Sequence, residues 1–367
     1  MAIFSDGMPN ALKNDLAYRC VYIQNSSTNM NRKIALIVAA IVLAALGFAI
    51  YKKEAAPAGN ATAAAGEFQG QLKVGHLVGV CMSPLFLADA KGYFKDEGLD
   101  VKLEWIKSPS DQTTALSGGA VQFIHNPFTN TFQADANGSN LKIIAGSGEG
   151  GLVCIVQPSV GITSLAELKN KKGLKVGSQR VNTLEMAFYR MLEANGLSYS
   201  DFQMVYFPDH FSMLAAFQNK DVDLVTHVEP YATMLIQKNG GIPIGTSLDA
   251  DVWGKGSPDC VISVNGDFLT KYPVTVEKYL RAVLKADAFI KAHKEEAITL
   301  LDEKKYYKVD KATLTDALPR QMPGVDLRAG VKAMDMAISD MVKLGYIKSK
   351  PENVVDLTIL EKVISGK

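Results

Sequence analysis

The chain has 367 residues, 47% hydrophobic and 21% charged: enough apolar material for one large or two medium domains, and too much for a disordered protein. Lys and Arg number 39 against 38 Asp and Glu, so the net charge is +1 and no nucleic-acid partner is expected. Cys20, Cys81, Cys154 and Cys260 are far apart with no CxxC, which excludes a disulfide scaffold and a clustered zinc site.

Residues 1–33 read as a short tail, or as a misassigned start with Met30 the natural one. Residues 34–51, IALIVAAIVLAALGFAIY, run for eighteen residues without a charge, about 27 Å of helix, close to a bilayer's hydrocarbon core. They read as a transmembrane anchor or signal sequence. Lys52-Lys53 directly after the run disfavours cleavage there, so an anchor with the rest of the chain outside is favoured. Residues 52–71, rich in Ala, Gly and Pro, read as a flexible linker.

The remainder repeats itself. Leu72-Lys73-Val74-Gly75 recurs as Leu174-Lys175-Val176-Gly177, 102 residues on. Each copy predicts a strand, then a helix with a polar start (Ser83-Pro84, Asn182-Thr183). A second strand follows (Val101 to Trp105, Met204 to Phe207), with another polar helix start at Ser110-Asp111 or Asp209-His210. The third strand runs from Val121 to His125 in one copy and from Val222 to His227 in the other, and closes on Pro127 or Pro230. Two βαβαβ units predict an α/β protein of two parallel, doubly wound lobes. Ligands bind outside the carboxyl ends of such strands, so the two sets of ends should converge on a central cleft. Loops Val78 to Ser83, His125 to Thr129, Ser178 to Thr183, Asp209 to Phe211 and His227 to Tyr231 should line it. The runs at residues 141–156 and 260–264 read as a two-segment hinge, with Gly146 to Gly151 a hinge or cleft loop. Lobe I is expected at 72–156 plus 260–367 and lobe II at 157–259, with C-terminal helices at Val274 to His293 and Leu327 to Leu344.

SPLFLADAKGYFKDEGLDVKLEW, beginning at Ser83, resembles the opening of nitrate/sulfonate/taurine-type solute-binding proteins of ABC importers. Leu165 to Lys169 before LKVGS, Leu214 to Asp223 with Val228-Glu229-Pro230-Tyr231, and Phe268 to Ile298 are similar to later segments of that family, in the same order. The resemblance implies a two-lobed type II periplasmic-binding-protein fold. It also implies an extracytoplasmic receptor, tethered or released, that closes its lobes around a small anionic, zwitterionic or heteroaromatic solute (thiamine pyrimidines included) and hands it to a permease and its ATPase; a monomer is expected.

Helix starts offer unpaired N–H groups to an anion, with hydroxyl help from Ser83, Thr129 and Thr183, although each could be only a cap. Arg180 could grip a carboxylate or sulfonate with its planar fork, or simply be solvated. Glu229 could accept from a ligand amine or ring N–H, or pair with Arg180. Phe128, Tyr231 and Trp253 could stack on a flat ligand, or merely pack. His76, His125, His210 and His227 fall near strand ends without zinc spacing. With their loop neighbours Cys81, Met82, Asn126, Ser178 and Asn182, these complete the candidate ligand-binding set. Cys154 and Cys260, in the two hinge runs, are a candidate disulfide outside the cell. No nucleophile elbow, P-loop or paired catalytic carboxylates occur, so no catalytic residue, cofactor or metal is expected. Two alternatives remain: an enzyme of the same fold in thiamine-pyrimidine or menaquinone synthesis, and a membrane-tethered ligand sensor.

Overall fold

The computed structural model describes residues 65–366; the tail, the apolar run and most of the linker lie outside them. Among the described residues no helix is long and apolar enough to cross a membrane. The linker's end is fastened to the fold. Phe68 packs at a tilt against Phe268 and edge-on against Tyr272, its N–H donates to Thr275 Oγ1 at 2.7 Å, and Glu67 pairs with Lys278 at 2.6 Å.

Lobe I opens with β1 (Leu72–His76), α1 (Ser83–Ala90), α2 (Tyr93–Asp96), β2 (Val101–Trp105), α3 (Pro109–Ser117), β3 (Phe123–Pro127), α4 (Phe128–Ala136) and β4 (Leu141–Gly150). Lobe II holds β5 (Leu152–Val156), β6 (Lys175–Ser178), α5 (Thr183–Ala194), β7 (Gln203–Tyr206), α6 (His210–Gln218), β8 (Leu224–Val228), α7 (Tyr231–Asn239) and β9 (Ile242–Thr246). The chain returns through β10 (Pro258–Asn265), α8 (Gly266–Lys271), α9 (Pro273–Ala292), α10 (Lys294–Glu303), α11 (Lys311–Ala317), β11 (Gln321–Pro323), α12 (Val331–Lys343) and α13 (Thr358–Ser365).

The sheets have strand orders β11-β4-β10-β3-β1-β2 and β7-β6-β8-β5-β9. The internal repeat is real in three dimensions, because β2-β1-β3-β10 and β7-β6-β8-β5 share one order. In each, three parallel strands are joined by an antiparallel strand that arrives from the other lobe. The expectation of purely parallel sheets is thereby corrected: the strands that cross between lobes must run back against β3 and β8. The central strands β3, β5 and β8 are buried at every position, as strands covered on both faces must be. Edge strands β2 and β7 are half exposed, and only β2, with Lys102 and Glu104, presents charges there.

The lobe boundary also moves. Residues 152–156, expected in lobe I, pair with β8 and β9 in lobe II. The crossing falls at Gly150 and Gly151, whose φ values of 73° and 75° suit glycine. Gly146 to Gly150 therefore belong to a strand, not a loop. The return crossing lies between β9 and β10, where Asp259, expected in lobe II, joins lobe I's sheet. The C-terminus is not confined to lobe I either: α12 packs against both α5 and α4. Arg190 of α5 reaches the fully buried Asp340 of α12 at 2.7 Å.

Candidate ligand cleft

The carboxyl ends of β1, β3, β6 and β8 are each followed by a helix start. A 3-10 turn, Val80–Met82, leads into α1 at Ser83-Pro84, and α4 begins directly after Pro127. Asn182 caps α5 by accepting from Leu184 N–H at 3.0 Å. Asp209 caps α6 by accepting from the N–H groups of Phe211 and Ser212. Thr183 does not cap. Its hydroxyl donates to Asp259 Oδ1 at 2.7 Å, across the lobes.

A second bridge runs from Val80 N–H to the Glu229 carbonyl at 2.7 Å. At the rim, Trp105 of lobe I meets Phe211 of lobe II edge-on at 6.1 Å, with Lys308 Nζ over both rings. The lobes are therefore joined on the face where the helix starts lie.

The polar groups left over on that face are informative. Among the described residues, Thr129 Oγ1, Ser178 Oγ, His210 Nδ1, Glu229 Oε1 and Trp253 Nε1 are buried without a hydrogen-bond partner, and the buried hydroxyls of Tyr231 and Tyr307, which lie beside the Lys308 backbone and Ser83, close no well-formed hydrogen bond. Each such group costs about 1–3 kcal/mol if it stays unpaired, and native folds tolerate few. Thr129 and Tyr307 belong to lobe I and the others to lobe II, so a partner bridging the lobes would satisfy both sets.

Glu229 is completely buried. Burial pushes its carboxyl up to about 7, and the Thr233 N–H bonded to Oε2 at 2.9 Å and the charge of Arg320 only partly offset this. The carboxyl is thus poised between acceptor and donor near neutrality. Asp259 is likewise raised by burial, while the hydrogen bonds of Thr183, Cys260, Cys81 and Gln321 pull the other way.

The expected site residues divide. Ser83, Thr129, Ser178, Thr183, His210, Glu229 and Tyr231 are buried at strand ends or helix starts around the cleft. Ser83's hydroxyl donates to the Val80 carbonyl within its own turn. Cys81 and Met82 are buried in that turn, and Phe128 packs on Phe132 and Trp253.

Three others are engaged elsewhere. His125 sits between Ser147 Oγ (2.7 Å) and Tyr279 OH (2.8 Å) in lobe I's core, and burial pushes it down to about 3. Asn126 Nδ2 donates to Thr131 Oγ1 and to the Pro127 carbonyl, inside lobe I. Arg180 is exposed, and its guanidinium lies over the rings of Tyr206 (5.4 Å) and Tyr346 (5.6 Å). The hydroxyls of those tyrosines and of Tyr199 all donate to Glu185 Oε1, so Arg180 covers an aromatic plate built on one carboxylate.

The cysteine pairing is also corrected. Cys154 lies on β5 in lobe II, opposite Thr226, while the sulfur facing Cys260 in lobe I is that of Cys81, at 2.9 Å. Among the described residues, Cys81, Asp259 and Cys260 form the one group whose sulfur and carboxylate atoms converge as metal ligands would.

Sequence reasoning missed Tyr307, Asp259 and Gln321. Asp259 adjoins a run already read as a strand, and Tyr307 is half of a Tyr-Tyr pair. Gln321 gives no local signal, yet its side chain ties together Cys81 N–H, Asp259 and the Gly150 carbonyl.

Two mixed sheets of matching order, crossed twice by the chain and facing one another across helix starts, define a two-lobed binding-protein fold. Solved structures agree. The periplasmic nitrate-binding protein NrtA from Synechocystis aligns with a TM-score of 0.70 at 16% identity, covering 81% of this chain and 88% of its own. The Escherichia coli aliphatic sulphonate binding protein SsuA aligns with a TM-score of 0.63 at 18% identity, covering 77% and 90%. The NMT1/THI5-like family model matches residues 81–297, and the chain belongs to that family. A candidate aliphatic sulfonates-binding protein of Bacillus subtilis is 26% identical over 295 residues, 77% of this chain and 85% of its own. The yeast 4-amino-5-hydroxymethyl-2-methylpyrimidine phosphate synthase THI11 is 32% identical over 100 residues only, 26% of this chain and 27% of its own. The relatives that match along most of the chain are binding proteins; the match to the enzyme is partial.

Proposed function

We propose that this chain is the extracytoplasmic solute receptor of an ABC importer of the nitrate/sulfonate/taurine type. Its two lobes would close on a small anion or zwitterion and present it to the permease. The observation that carries this reading is the set of buried, unpartnered polar groups contributed by both lobes at the strand carboxyl ends. Six of the seven are neutral donors or hydroxyls, suited to an oxyanion without a full counter-charge. The seventh, Glu229, suits an amine or ring N–H. An amino-sulfonate would use both, in keeping with the sulfonate and nitrate ligands named for the relatives.

A bridging solute makes contacts in the closed state that it lacks in the open one, so binding drives closure. The apolar run at residues 34–51 would hold the receptor at the outer face of the membrane as a monomer.

The test is a thermal-shift screen of sulfonates, taurine, nitrate, bicarbonate, hydroxymethylpyrimidines and short carboxylates. A solute at 100 times its Kd should add about 2.7 kcal/mol, readily seen as a higher midpoint. A shift with sulfonates or nitrate supports the reading. A shift confined to pyrimidines that are also turned over transfers it to the enzyme. Silence across the panel refutes the solute class.

A further inference from the structure

We propose that Cys81 and Cys260 are a redox-active pair that joins as a disulfide, fastening the first turn of the cleft to strand β10. The proposal rests on the extracytoplasmic placement argued above for the compartment, and on geometry for the pairing.

Cys81 sits in the 3-10 turn after β1, and Cys260 is the third residue of β10. The two approach because Gly148 lies between them in register. Gly148 is the β4 partner of Cys260, and a side chain on it would meet the Cys81 Cα at 2.5 Å. That absent side chain brings the turn down onto the sheet and leaves the two sulfurs facing each other. The turn is further held by Ser147 Oγ, which donates to the Cys81 carbonyl at 2.6 Å, and by Cys81 N–H, which donates to Gln321 Oε1 at 3.1 Å.

Both thiols are completely enclosed, and burial pushes Cys81 up to about 11 and Cys260 well above its ordinary value. A metal would need thiolates there, together with a buried Asp259 already bonded to Thr183 and Gln321. A disulfide is neutral and asks for no charge in that space. The same enclosure makes the closed fold slow to react, so the bond forms during folding or in openings of the turn.

The step balances with a disulfide-bearing oxidant. The S–H bonds of Cys81 and Cys260 break and one S–S bond forms. Oxidised glutathione takes up the two electrons and two protons and leaves as two molecules of reduced glutathione.

The consequence reaches the cleft through two neighbours. The turn that carries Cys81 also carries Val80, whose N–H bonds the Glu229 carbonyl across the lobes. Asp259, beside Cys260, receives the Thr183 hydroxyl from the other lobe.

The experiment unfolds the full chain and refolds it in oxidised and reduced glutathione, so that both thiols meet the oxidant, then quenches, denatures and alkylates it with N-ethylmaleimide without reductant and maps it by peptide mass. The expected result is a peptide of Cys81 linked to Cys260, about 2 Da below the sum of the two thiol peptides, with Cys154 alkylated. In Cys81→Ser, Cys260 should take the reagent. Alkylation of Cys81 and Cys260 in the wild-type chain overturns the proposal, as does a link from either to Cys154. So does zinc that co-purifies at one per chain and is released on alkylation. Chain taken directly from acid-quenched cells supplies the second arm. A pair linked by glutathione but reduced in cells overturns the extracytoplasmic placement and leaves the pairing standing.

Discussion

Replacing Glu229 by glutamine isolates an acidic group in the cleft whose ionisation is set near neutrality. The amide keeps the shape and the oxygen that accepts from Thr233 N–H, but it cannot ionise. In the fold the carboxyl is carried from its ordinary 4.5 to about 7 by burial, which makes ionisation there about 3 kcal/mol less favourable than in the unfolded chain. The folded state therefore holds this proton more tightly than the unfolded state. Its contribution to stability is complete below about pH 4.5, declines as pH rises, and is lost above about pH 7. Wild-type and Glu229→Gln proteins should melt at similar temperatures near pH 5. By pH 8 the variant should melt about 6 °C higher, at the roughly 2 °C per kcal/mol expected for a domain of this size. The assay is differential scanning fluorimetry in matched buffers from pH 5 to 8 without added solute. The three buried histidines affect both proteins equally, so the difference between the curves reports Glu229 alone. Parallel curves would refute the reasoning, because they would mean that the carboxyl is hydrated in the fold.

Tyr307→Phe and Tyr231→Phe remove hydroxyls that close no well-formed hydrogen bond with their neighbours Ser83 and the Lys308 backbone, so solute-free stability should change by less than about 1 kcal/mol. Solute affinity should fall about tenfold, the worth of one hydrogen bond, as read by calorimetry. Thr183→Val leaves Asp259 Oδ1 buried without its donor and should cost about 1–3 kcal/mol in chemical denaturation. Arg180→Ala should leave solute affinity within about threefold, because its guanidinium lies on Tyr206 and Tyr346, while losing about 0.5–1 kcal/mol of stability. Burial holds His125, His210 and His227 at about 3, 3 and 4, below their ordinary 6.5. The unfolded chain therefore binds more protons below pH 6.5, and stability should drop steadily from there toward pH 4, as seen by circular dichroism.

The alternation of strand and helix, the doubled Leu-Lys-Val-Gly motif and the polar helix starts were legible in the sequence because each depends on neighbours in the chain. A strand buried on both faces must be apolar throughout, and a helix start needs a cap or a proline at a set spacing. The same logic locates the loops at the strand ends, and it puts Ser178, His210, Glu229 and Tyr231 in or beside them. Only the tertiary structure decided the rest. Whether the crossing strands run parallel or antiparallel depends on which lobe they arrive from. That Arg180 lies on tyrosines 26 and 166 residues away, and that Cys81 faces Cys260 rather than Cys154 facing it, follow from how the sheets stack. Likewise Tyr307, Asp259 and Gln321 reach the cleft only because the C-terminal half folds back over the first lobe. Periodicity and capping act over a few residues and are written in the order of the chain. Pairing across more than a hundred residues is settled by packing, where the same side chains have many partners until the backbone chooses among them.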